Sequence, residues 1–229
     1  MIDKILVLVP SRKRPSSIEK LRRSFLQTHA NKSEILVILD KDDEQNYYRH
    51  HDLNYEVYEG EAGYCQEKMN GYAFKYRKQY KYIGFIGDDN EFITKDWDLK
   101  VFSALDNIGD NAIAYINDQL QNHCNANKDC CRNVFLDSNI INKIGYFAPP
   151  NLRHFYQDNF WFATGTKLGT LVYLEEVKVN HAHFLANLSD RDEIYQSAYD
   201  GNKLNEDCKN YNEYLNKQWA NDIKKLLNK

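Results

Sequence analysis

The sequence predicts an α/β fold in which a mixed sheet is flanked by helices. Short apolar runs rich in β-branched residues, at 5–9 (ILVLV), 35–39 (ILVIL) and 82–86 (YIGFI), are typical of buried strands. Segments with helical periodicity separate these runs, and strands that alternate with helices form βαβ units. Ligands of such sheets bind at the carboxyl ends of the strands, so the residues that follow each run are the first candidates for a functional site.

The first half of the chain continues this alternation. Ser16 and Ser17 can cap a helix whose apolar residues recur at helical spacing. A weaker strand at 56–58 and a helical segment at 66–80 then lead to the strand at 82–86, which runs directly into the acidic turn at 87–90.

The second half is less regular. Residues 112–116 (AIAYI) predict a core strand, 117–133 a polar loop, 134–144 a strand or a helix, and 171–179 a further strand. The tail at 190–229 is polar and helix-prone, with an apolar stripe that begins at Tyr195. We therefore expect one domain at 1–187 and a helical C-terminal extension at 188–229 that packs on it.

Composition limits the classes of function. The 229 residues fit a single core, and a net charge of −3 with a pI near 6.2 gives no global attraction to nucleic acid or anionic membranes. The basic segment 75–81 (KYRKQYK) can track phosphates locally or simply form a solvated helix face. The N-terminal apolar run is too short for a membrane span and precedes, instead of following, its basic stretch. We expect a cytoplasmic protein without a membrane span.

The cysteines indicate reduced thiols. Five is an odd number, so no paired disulfide framework is predicted. Cys124, Cys130 and Cys131 lack the C-x2-C spacing of a zinc knuckle, which favours an ordinary loop over a zinc site.

Two motifs carry metal-binding side chains. Asp88 and Asp89 follow a buried strand, where two carboxylates can hold a hard divalent cation that neutralises a diphosphate; the alternative is an acidic surface turn. His181 and His183 follow the last strand, and we expect their imidazoles to point to opposite faces, so that only one enters the site. An imidazole added to carboxylates favours manganese over calcium, with magnesium possible where phosphates supply the oxygens. Satisfied histidines at the core edge are the alternative.

Other polar residues lie at the same predicted edge. Asp158 opens a helix, where it can act as N-cap or as general base. Asp40 ends the second strand and can meet a nucleobase or ribose, or belong to a solvated acidic loop. Arg12 and Arg14 follow the first strand, on the same side as Asp88.

In chain order, these motifs resemble those of the GT-A glycosyltransferases, in particular the inverting family-two-like group. The similar segments are PSRKRP at 10–15, ILDKDD at 38–43, GDDNEFITKDW at 87–97, QDNFW at 157–161 and VNHAHF at 179–184. The resemblance covers residues 4–185, and the tail is similar to small glycosyltransferases of bacteriophages. Two departures are Gly-Asp-Asp-Asn in place of Asp-x-Asp and Gln157 in place of a frequent Glu.

The resemblance implies a single-domain GT-A fold and an inverting sugar transfer from a nucleoside-diphosphate donor, most often a UDP-sugar. It implies a divalent metal, Mn²⁺ or Mg²⁺, held by Asp89 and His181, with Asp88 and His183 less favoured, and Asp158 as the catalytic base. Asp118 follows the fifth strand and is expected to hold a donor-sugar hydroxyl. The full donor-binding set is Pro10, Ser11, Arg12, Arg14, Asp40, Lys68, Asp88 and Asp118.

Two rival functions share this fold. A sugar nucleotidyltransferase would need a glycine-rich phosphate loop after the first strand, and PSRKRP contains no glycine. A catalytically inactive carbohydrate-binding protein would not need Asp89, Asp158 and His181 together. The acceptor stays open between a modified DNA base, a glycan and a protein, and the oligomeric state is open as well.

Overall fold

A single sheet organises the part of the chain that the computed structural model describes, residues 1–43, 52–120, 130–183, 192–199 and 203–228. Its strands are β1 (Ile2–Ser11), β2 (Ser33–Asp40), β3 (Asn54–Tyr58), β4 (Tyr80–Phe85), β5 (Asn90–Phe92), β6 (Ile113–Asn117), β7 (Val134–Asp137) and β8 (Leu171–His181). The helices are α1 (Pro15–Thr28), α2 (Cys65–Tyr76), α3 (Trp97–Ile108), α4 (Ser138–Ile144), α5 (Gln157–Leu168), α6 (Glu193–Tyr199), α7 (Lys203–Lys217) and α8 (Trp219–Leu227).

The sheet is mixed, as the sequence predicted. Its order is β3-β2-β1-β4-β7-β6-β8-β5, with β1 parallel to both β2 and β4 and β3 parallel to β2. β7 runs antiparallel to β4 and β6, and β5 runs antiparallel to β8. The parallel strands β1, β2 and β4 therefore end at one edge of the sheet, and the residues after them meet there.

Two hydrophobic layers cover the faces of the sheet. Side chains alternate along β1, so Ile5 and Val7 join the layer under α1 and α3, whereas Leu6 and Leu8 join the layer under α2, α4 and α5. Ile5, Val7 and Leu8 are fully buried, as expected for a central strand covered on both sides.

Several boundaries differ from the sequence-based expectations. α1 begins at Pro15 with Arg14 at the N-cap, so the predicted capping by Ser16 and Ser17 is wrong. Proline suits the first helical position because an N–H group there would have no hydrogen-bond partner within the helix, so its absence costs nothing. α2 ends at Tyr76, four residues before the predicted end. Residues 134–144 form both elements: the short strand β7 and then α4, for which Asp137 is the N-cap.

The tail is helical and packs on the rest of the chain. α8 packs against α4, α5 and α7, with Ile223 and Leu226 buried. Asp222, also buried, accepts hydrogen bonds from the Tyr146 and Tyr214 hydroxyls. The predicted domain boundary at 187/188 lies outside the described residues. Within the described ranges, no helix has both the length and the apolar character that crossing a membrane requires.

The cysteine motif lies only partly within the described residues. Cys130 and Cys131 are buried free thiols, and burial raises the pKa of both above the ordinary thiol value. Cys124 lies outside the described ranges.

Candidate active site

A cavity of about 390 Å³ opens at the edge where β1, β2 and β4 end. It brings together nearly all of the predicted site residues, which come from six separate parts of the chain. These lining residues are Pro10, Ser11, Arg12, Arg14, Asp40, Lys68, Asp88, Asp89, Asp158, His181 and His183. Asp118 does not line the cavity but lies behind His181.

The acidic turn between β4 and β5 has a fixed shape. A Cβ at Gly87 would lie 2.6 Å from Asp89 Oδ1 and 2.9 Å from Asn90 Nδ2, so a larger residue there would displace the Asp89 and Asn90 side chains. Asn90 Nδ2 donates to the Gly87 carbonyl at 3.2 Å, and Asn133 Nδ2 donates to Asn90 Oδ1 at 3.2 Å. These bonds place Asp88 and Asp89 in the cavity wall with little freedom.

Both carboxylate oxygens of Asp88 are engaged by β1 and the loop after it. Ser11 Oγ donates to Oδ2 at 2.7 Å, and Arg14 Nη1 donates to Oδ1 at 3.0 Å. Burial raises the pKa of Asp88 above its ordinary value, and the opposing charge of Arg14 reduces this effect. Asp88 thus binds protein groups through both oxygens and fixes Arg14 at the cavity wall.

Asp89, His181 and Asp118 form a line of interacting charges. His181 Nε2 lies 3.3 Å from Asp89 Oδ2, and His181 Nδ1 lies 3.6 Å from Asp118 Oδ2. Arg132 Nη1 donates to the same Asp118 oxygen at 2.7 Å. Asp118 therefore lies behind the ring of His181, close enough to attract its charge but beyond hydrogen-bond distance from Nδ1.

The charges of these neighbouring groups explain the pKa values of His181, Asp89 and Asp118. Burial lowers the pKa of His181, but the two neighbouring carboxylates outweigh burial and raise it to about 9. Burial alone would raise the pKa of Asp89, yet His181 and the Tyr195 hydroxyl hold it well below the usual range. The pKa of Asp118 falls to about 2 because His181 and Arg132 outweigh its burial.

The two histidines share one cavity, so the expectation that they point to opposite faces is wrong. Residues two apart in a strand lie on the same face, because side chains alternate with a period of two. β8 also ends at His181, where the His183 N–H donates to the His181 carbonyl at 2.8 Å and turns the chain. The ring centroids lie 5.2 Å apart. Burial and the charge of His181 lower the pKa of His183 to about 4.

The opposite end of the cavity centres on Asp40. Lys68 Nζ lies 2.9 Å from Asp40 Oδ1, and both side chains are almost fully buried. The Gly63 N–H donates to Asp40 Oδ2 at 3.1 Å, and Arg12 Nη2 donates to Asp42 at 2.8 Å. Arg12 Nε is buried and makes no hydrogen bond among the described residues. This end of the cavity therefore offers a polar ligand the charged groups of Asp40 and Lys68 and the hydrogen-bond donor Arg12 Nε.

Asp158 lies in the first turn of α5 and faces the same cavity. The helix begins at Gln157 with Tyr156 as N-cap residue, so the predicted N-cap role of Asp158 is wrong. Asp158 Oδ1 accepts from the Asn159 N–H at 3.0 Å, and the side chain is half-buried. Gln157 Oε1, buried in the same wall, has no hydrogen-bond partner among the described residues.

The loop before α5 is held by a carboxylate from the tail. Asp207 of α7 is fully buried and accepts three backbone N–H bonds, from Arg153 at 3.0 Å, His154 at 2.9 Å and Phe155 at 2.8 Å. Because His154 and Phe155 line the cavity, this anchor shapes the wall that leads to Asp158.

Sequence reasoning missed a group of residues that α6 and Asp192, the residue before it, add to the site. The Tyr195 hydroxyl donates to Asp89 Oδ2, the oxygen that faces His181. Asp192 accepts from Arg14 Nε at 2.7 Å and Nη2 at 2.8 Å, and the guanidinium lies 4.2 Å above the Tyr195 ring. In the sequence, Tyr195 belongs to an apolar stripe and to the tail that resembles small phage glycosyltransferases, and no local signal places its hydroxyl on Asp89.

The donor set fits a divalent ion that takes most of its ligands from a substrate. Among the described residues, no group of three or more His, Cys, Asp or Glu side chains could hold a metal by itself. Asp89 Oδ2 and His181 Nε2 do converge at one point of the cavity. Mg²⁺, and by similar chemistry Mn²⁺, commonly uses one or two protein ligands plus phosphate oxygens and water, which matches this pair.

Comparison with known proteins gives structural but no sequence matches. The sequence matches no protein-family model and no curated protein. Among solved structures, S. aureus TarS aligns with a TM-score of 0.58 and 15% identity over 95% of this chain. The chain spans 44% of the length of that TarS chain.

Ligand-bound structures give similar alignments. TarS residues 1–349 in complex with UDP align with a TM-score of 0.57 and 14% identity, over 95% of this chain and 73% of that one. The mannosyltransferase PcManGT from Pyrobaculum calidifontis, in complex with GDP-Man and Mn²⁺, aligns with a TM-score of 0.58 and 12% identity, over 97% of this chain and 72% of that one. These likenesses show that the chain has a GT-A-like glycosyltransferase fold.

Proposed function

We propose that the protein is a metal-dependent glycosyltransferase that moves a sugar from a nucleoside-diphosphate donor to a hydroxyl acceptor with inversion. One observation carries the proposal: a single cavity holds the converging pair Asp89–His181 together with the carboxylate of Asp158. Asp89 and His181 can bind a metal ion that contacts the donor diphosphate. The Asp158 carboxylate can take the proton from the attacking acceptor hydroxyl. The fold supports this assignment because proteins that share it bind UDP or GDP-Man.

The donor is assigned to the end of the cavity between Asp40 and Asp88. Asp40 and Arg12 Nε, which makes no hydrogen bond among the described residues, offer an acceptor and a donor to the nucleoside, and Lys68 holds the Asp40 carboxylate in place by its close contact. Arg14 lies nearer the metal pair, where its charge suits the diphosphate. We assign UDP as the nucleotide, on the resemblance of the motifs and on the UDP-bound neighbour.

Asp118 is assigned a positioning role in place of the donor-sugar contact expected from the sequence. Its carboxylate binds Arg132 and faces His181 Nδ1, behind the cavity wall. From this position its charge favours the ring orientation in which Nε2 points toward Asp89.

The chemistry follows from the two sides of the cavity. A divalent ion held by Asp89 and His181 would supply the positive charge that stabilises the leaving nucleoside diphosphate. Asp158 accepts the proton of the acceptor hydroxyl while the oxygen of that hydroxyl forms a bond to the anomeric carbon of the donor sugar. The bond from that carbon to the diphosphate oxygen breaks on the opposite face, so the configuration inverts and the nucleoside diphosphate carries away the electron pair.

Donor hydrolysis tests this proposal without knowledge of the acceptor. The purified protein is incubated with a panel of UDP- and GDP-sugars and Mn²⁺, and release of the nucleoside diphosphate is measured. We expect hydrolysis of a UDP-sugar that Asp89→Asn and His181→Ala abolish. Glu91→Gln serves as the matched control, since Glu91 lies in β5 next to the acidic turn but does not line the cavity. Absence of hydrolysis with every donor, or full activity of Asp89→Asn, contradicts the proposal.

A further inference from the structure

Two buried glutamine side chains in the wall of the active-site cavity each have a carbonyl oxygen without a partner. Gln66 is 2% exposed and Gln157 is 5% exposed, and both line the cavity. Among the described residues, neither Gln66 Oε1 nor Gln157 Oε1 accepts a hydrogen bond. A buried acceptor of this kind is unfavourable, because it has lost water without gaining another donor. Two such oxygens in one wall indicate that a ligand supplies the missing donors.

The orientation of the Gln66 amide is set by the loop before α5. The Gln66 backbone N–H donates to the Arg153 carbonyl at 3.1 Å, and Gln66 Nε2 donates to the His154 carbonyl at 3.0 Å. Because only the nitrogen end of an amide side chain can donate, Oε1 is left as an acceptor at the other end. Asp207 binds N–H groups of the same loop, so the Gln66 amide is attached to a fixed support.

Gln157 lies beside the proposed catalytic base. It is the first residue of α5, directly before Asp158, and Tyr156 before it has the left-handed φ of 67° that starts the helix. Gln66 lies on α2, which also carries Lys68, the partner of Asp40. The two glutamines therefore belong to the wall that leads from the nucleotide end of the cavity to Asp158.

A third polar residue of this wall, His154, carries no charge at pH 7. Burial lowers the pKa of its imidazole to about 4, although Asp207 acts in the opposite direction. A neutral imidazole offers one donor and one acceptor. Lys68 and Arg14, two cations near His154, are each paired with a carboxylate of the cavity. We call the surface formed by Gln66, His154 and Gln157 the neutral wall.

We propose that the neutral wall binds hydroxyl groups of the donor sugar and selects a neutral hexose over an anionic sugar. This inference rests on the proposed function, which assigns the nucleotide to Asp40 and the reacting carbon to the vicinity of Asp158, so that the sugar lies between them. Sugar hydroxyl groups supply the donors that the two glutamine oxygens lack. A uronate carboxylate only accepts hydrogen bonds, so these oxygens would repel it, and no cation of the neutral wall would balance its charge.

Calorimetry with sugar nucleotides tests this selection directly. The full chain is titrated, in the presence of Mn²⁺, with UDP, UDP-glucose, UDP-galactose, UDP-N-acetylglucosamine and UDP-glucuronate. We expect the tightest-binding neutral UDP-sugar to have an affinity roughly tenfold or more above that of UDP-glucuronate, because one glutamine oxygen stays unpaired and the carboxylate stays unneutralised.

The variant Gln157→Met separates the sugar contact from the nucleotide contact. Methionine keeps the length of the side chain but removes both polar ends of the amide. We expect it to weaken the affinity for the preferred neutral UDP-sugar about fivefold, the equivalent of one hydrogen bond, and to leave UDP affinity within about twofold of wild type. Gln27→Met is the matched control, since Gln27 is an exposed glutamine on α1 that does not line the cavity.

The possible outcomes separate this inference from the proposed function. If UDP binds but UDP-glucuronate binds as tightly as every neutral UDP-sugar, this inference alone is overturned. The same holds if Gln157→Met leaves the affinity for the preferred UDP-sugar unchanged. If neither UDP nor any UDP-sugar binds, the proposed function fails and this inference fails with it. If Gln157→Met loses UDP affinity and its urea midpoint falls, the variant is misfolded, and the wild-type comparison of neutral and anionic sugars decides alone.

Discussion

Replacing Asp207 with Asn should destabilise the loop that leads to Asp158. In the native structure, Oδ2 accepts the N–H bonds of His154 and Phe155, and Oδ1 accepts that of Arg153. Asn has nearly the same shape, but it carries no charge and one of its two polar ends is a donor. If its oxygen takes the Oδ2 position, its amide group faces the Arg153 N–H, donor against donor.

The expected loss follows from these three bonds. A hydrogen bond to a charged acceptor contributes about 1.5–3 kcal/mol, against roughly 0.5–1.5 kcal/mol for a neutral pair. Asp207→Asn removes one such bond and weakens the other two, and local relaxation recovers part of the loss. We therefore expect a decrease of about 3 kcal/mol in the free energy of unfolding, a large fraction of the roughly 5–15 kcal/mol of a typical domain.

Urea unfolding and donor hydrolysis together check this prediction. Asp207→Asn should lower the urea midpoint and also the hydrolysis rate, because the loop that Asp207 holds forms a wall of the cavity. Asp222→Asn is the matched control for activity, since Asp222 is also a buried tail carboxylate that accepts several hydrogen bonds but does not line the cavity. That variant should also lose stability, because the Asn amide would face the Lys225 ammonium and the Gln218 amide that donate to Oδ1, but it should keep full activity. Wild-type stability and activity of Asp207→Asn would refute the anchoring role.

Two further substitutions test the residues around the proposed reaction centre. Asp158→Asn should lower turnover by about 10²- to 10⁴-fold, the usual contribution of a general base, while UDP affinity stays within twofold of wild type by calorimetry; a near wild-type turnover would contradict that role. Tyr195→Phe removes the hydroxyl that donates to Asp89, so Mn²⁺ affinity measured by electron paramagnetic resonance should increase about tenfold. Unchanged or weaker Mn²⁺ binding would show that Tyr195 does not compete with the ion.

Much of the fold and one side of the site can be predicted from the sequence. The runs at 5–9, 35–39 and 82–86 lie within or overlap β1, β2 and β4, because buried parallel strands need continuous apolar residues. Parallel strands end at one edge, which is why Arg12, Asp40 and Asp88 line one cavity. These predictions depend only on local pattern and on sheet geometry.

The features that were not predicted depend on tertiary packing. β5 has only three residues, too few for a periodic signal, and it forms by pairing with β8, far along the chain. Tyr195 and Asp207 reach the site from α6 and α7, and the position of the tail on the sheet is not encoded locally. The prediction that His181 and His183 point to opposite faces was wrong for a different reason. Side chains alternate along a strand with a period of two residues, so residues two apart lie on the same face.

Calorimetry of UDP binding is the most direct test of the central claim that Asp89 and His181 hold a metal ion for the donor diphosphate. UDP is titrated into the protein with Mn²⁺ and again with excess chelator, for the wild type and for Asp89→Asn. The proposal predicts wild-type affinity at least tenfold higher with Mn²⁺, and no such difference in the variant. Equal affinity of the wild-type protein for UDP under both conditions would contradict the metal assignment.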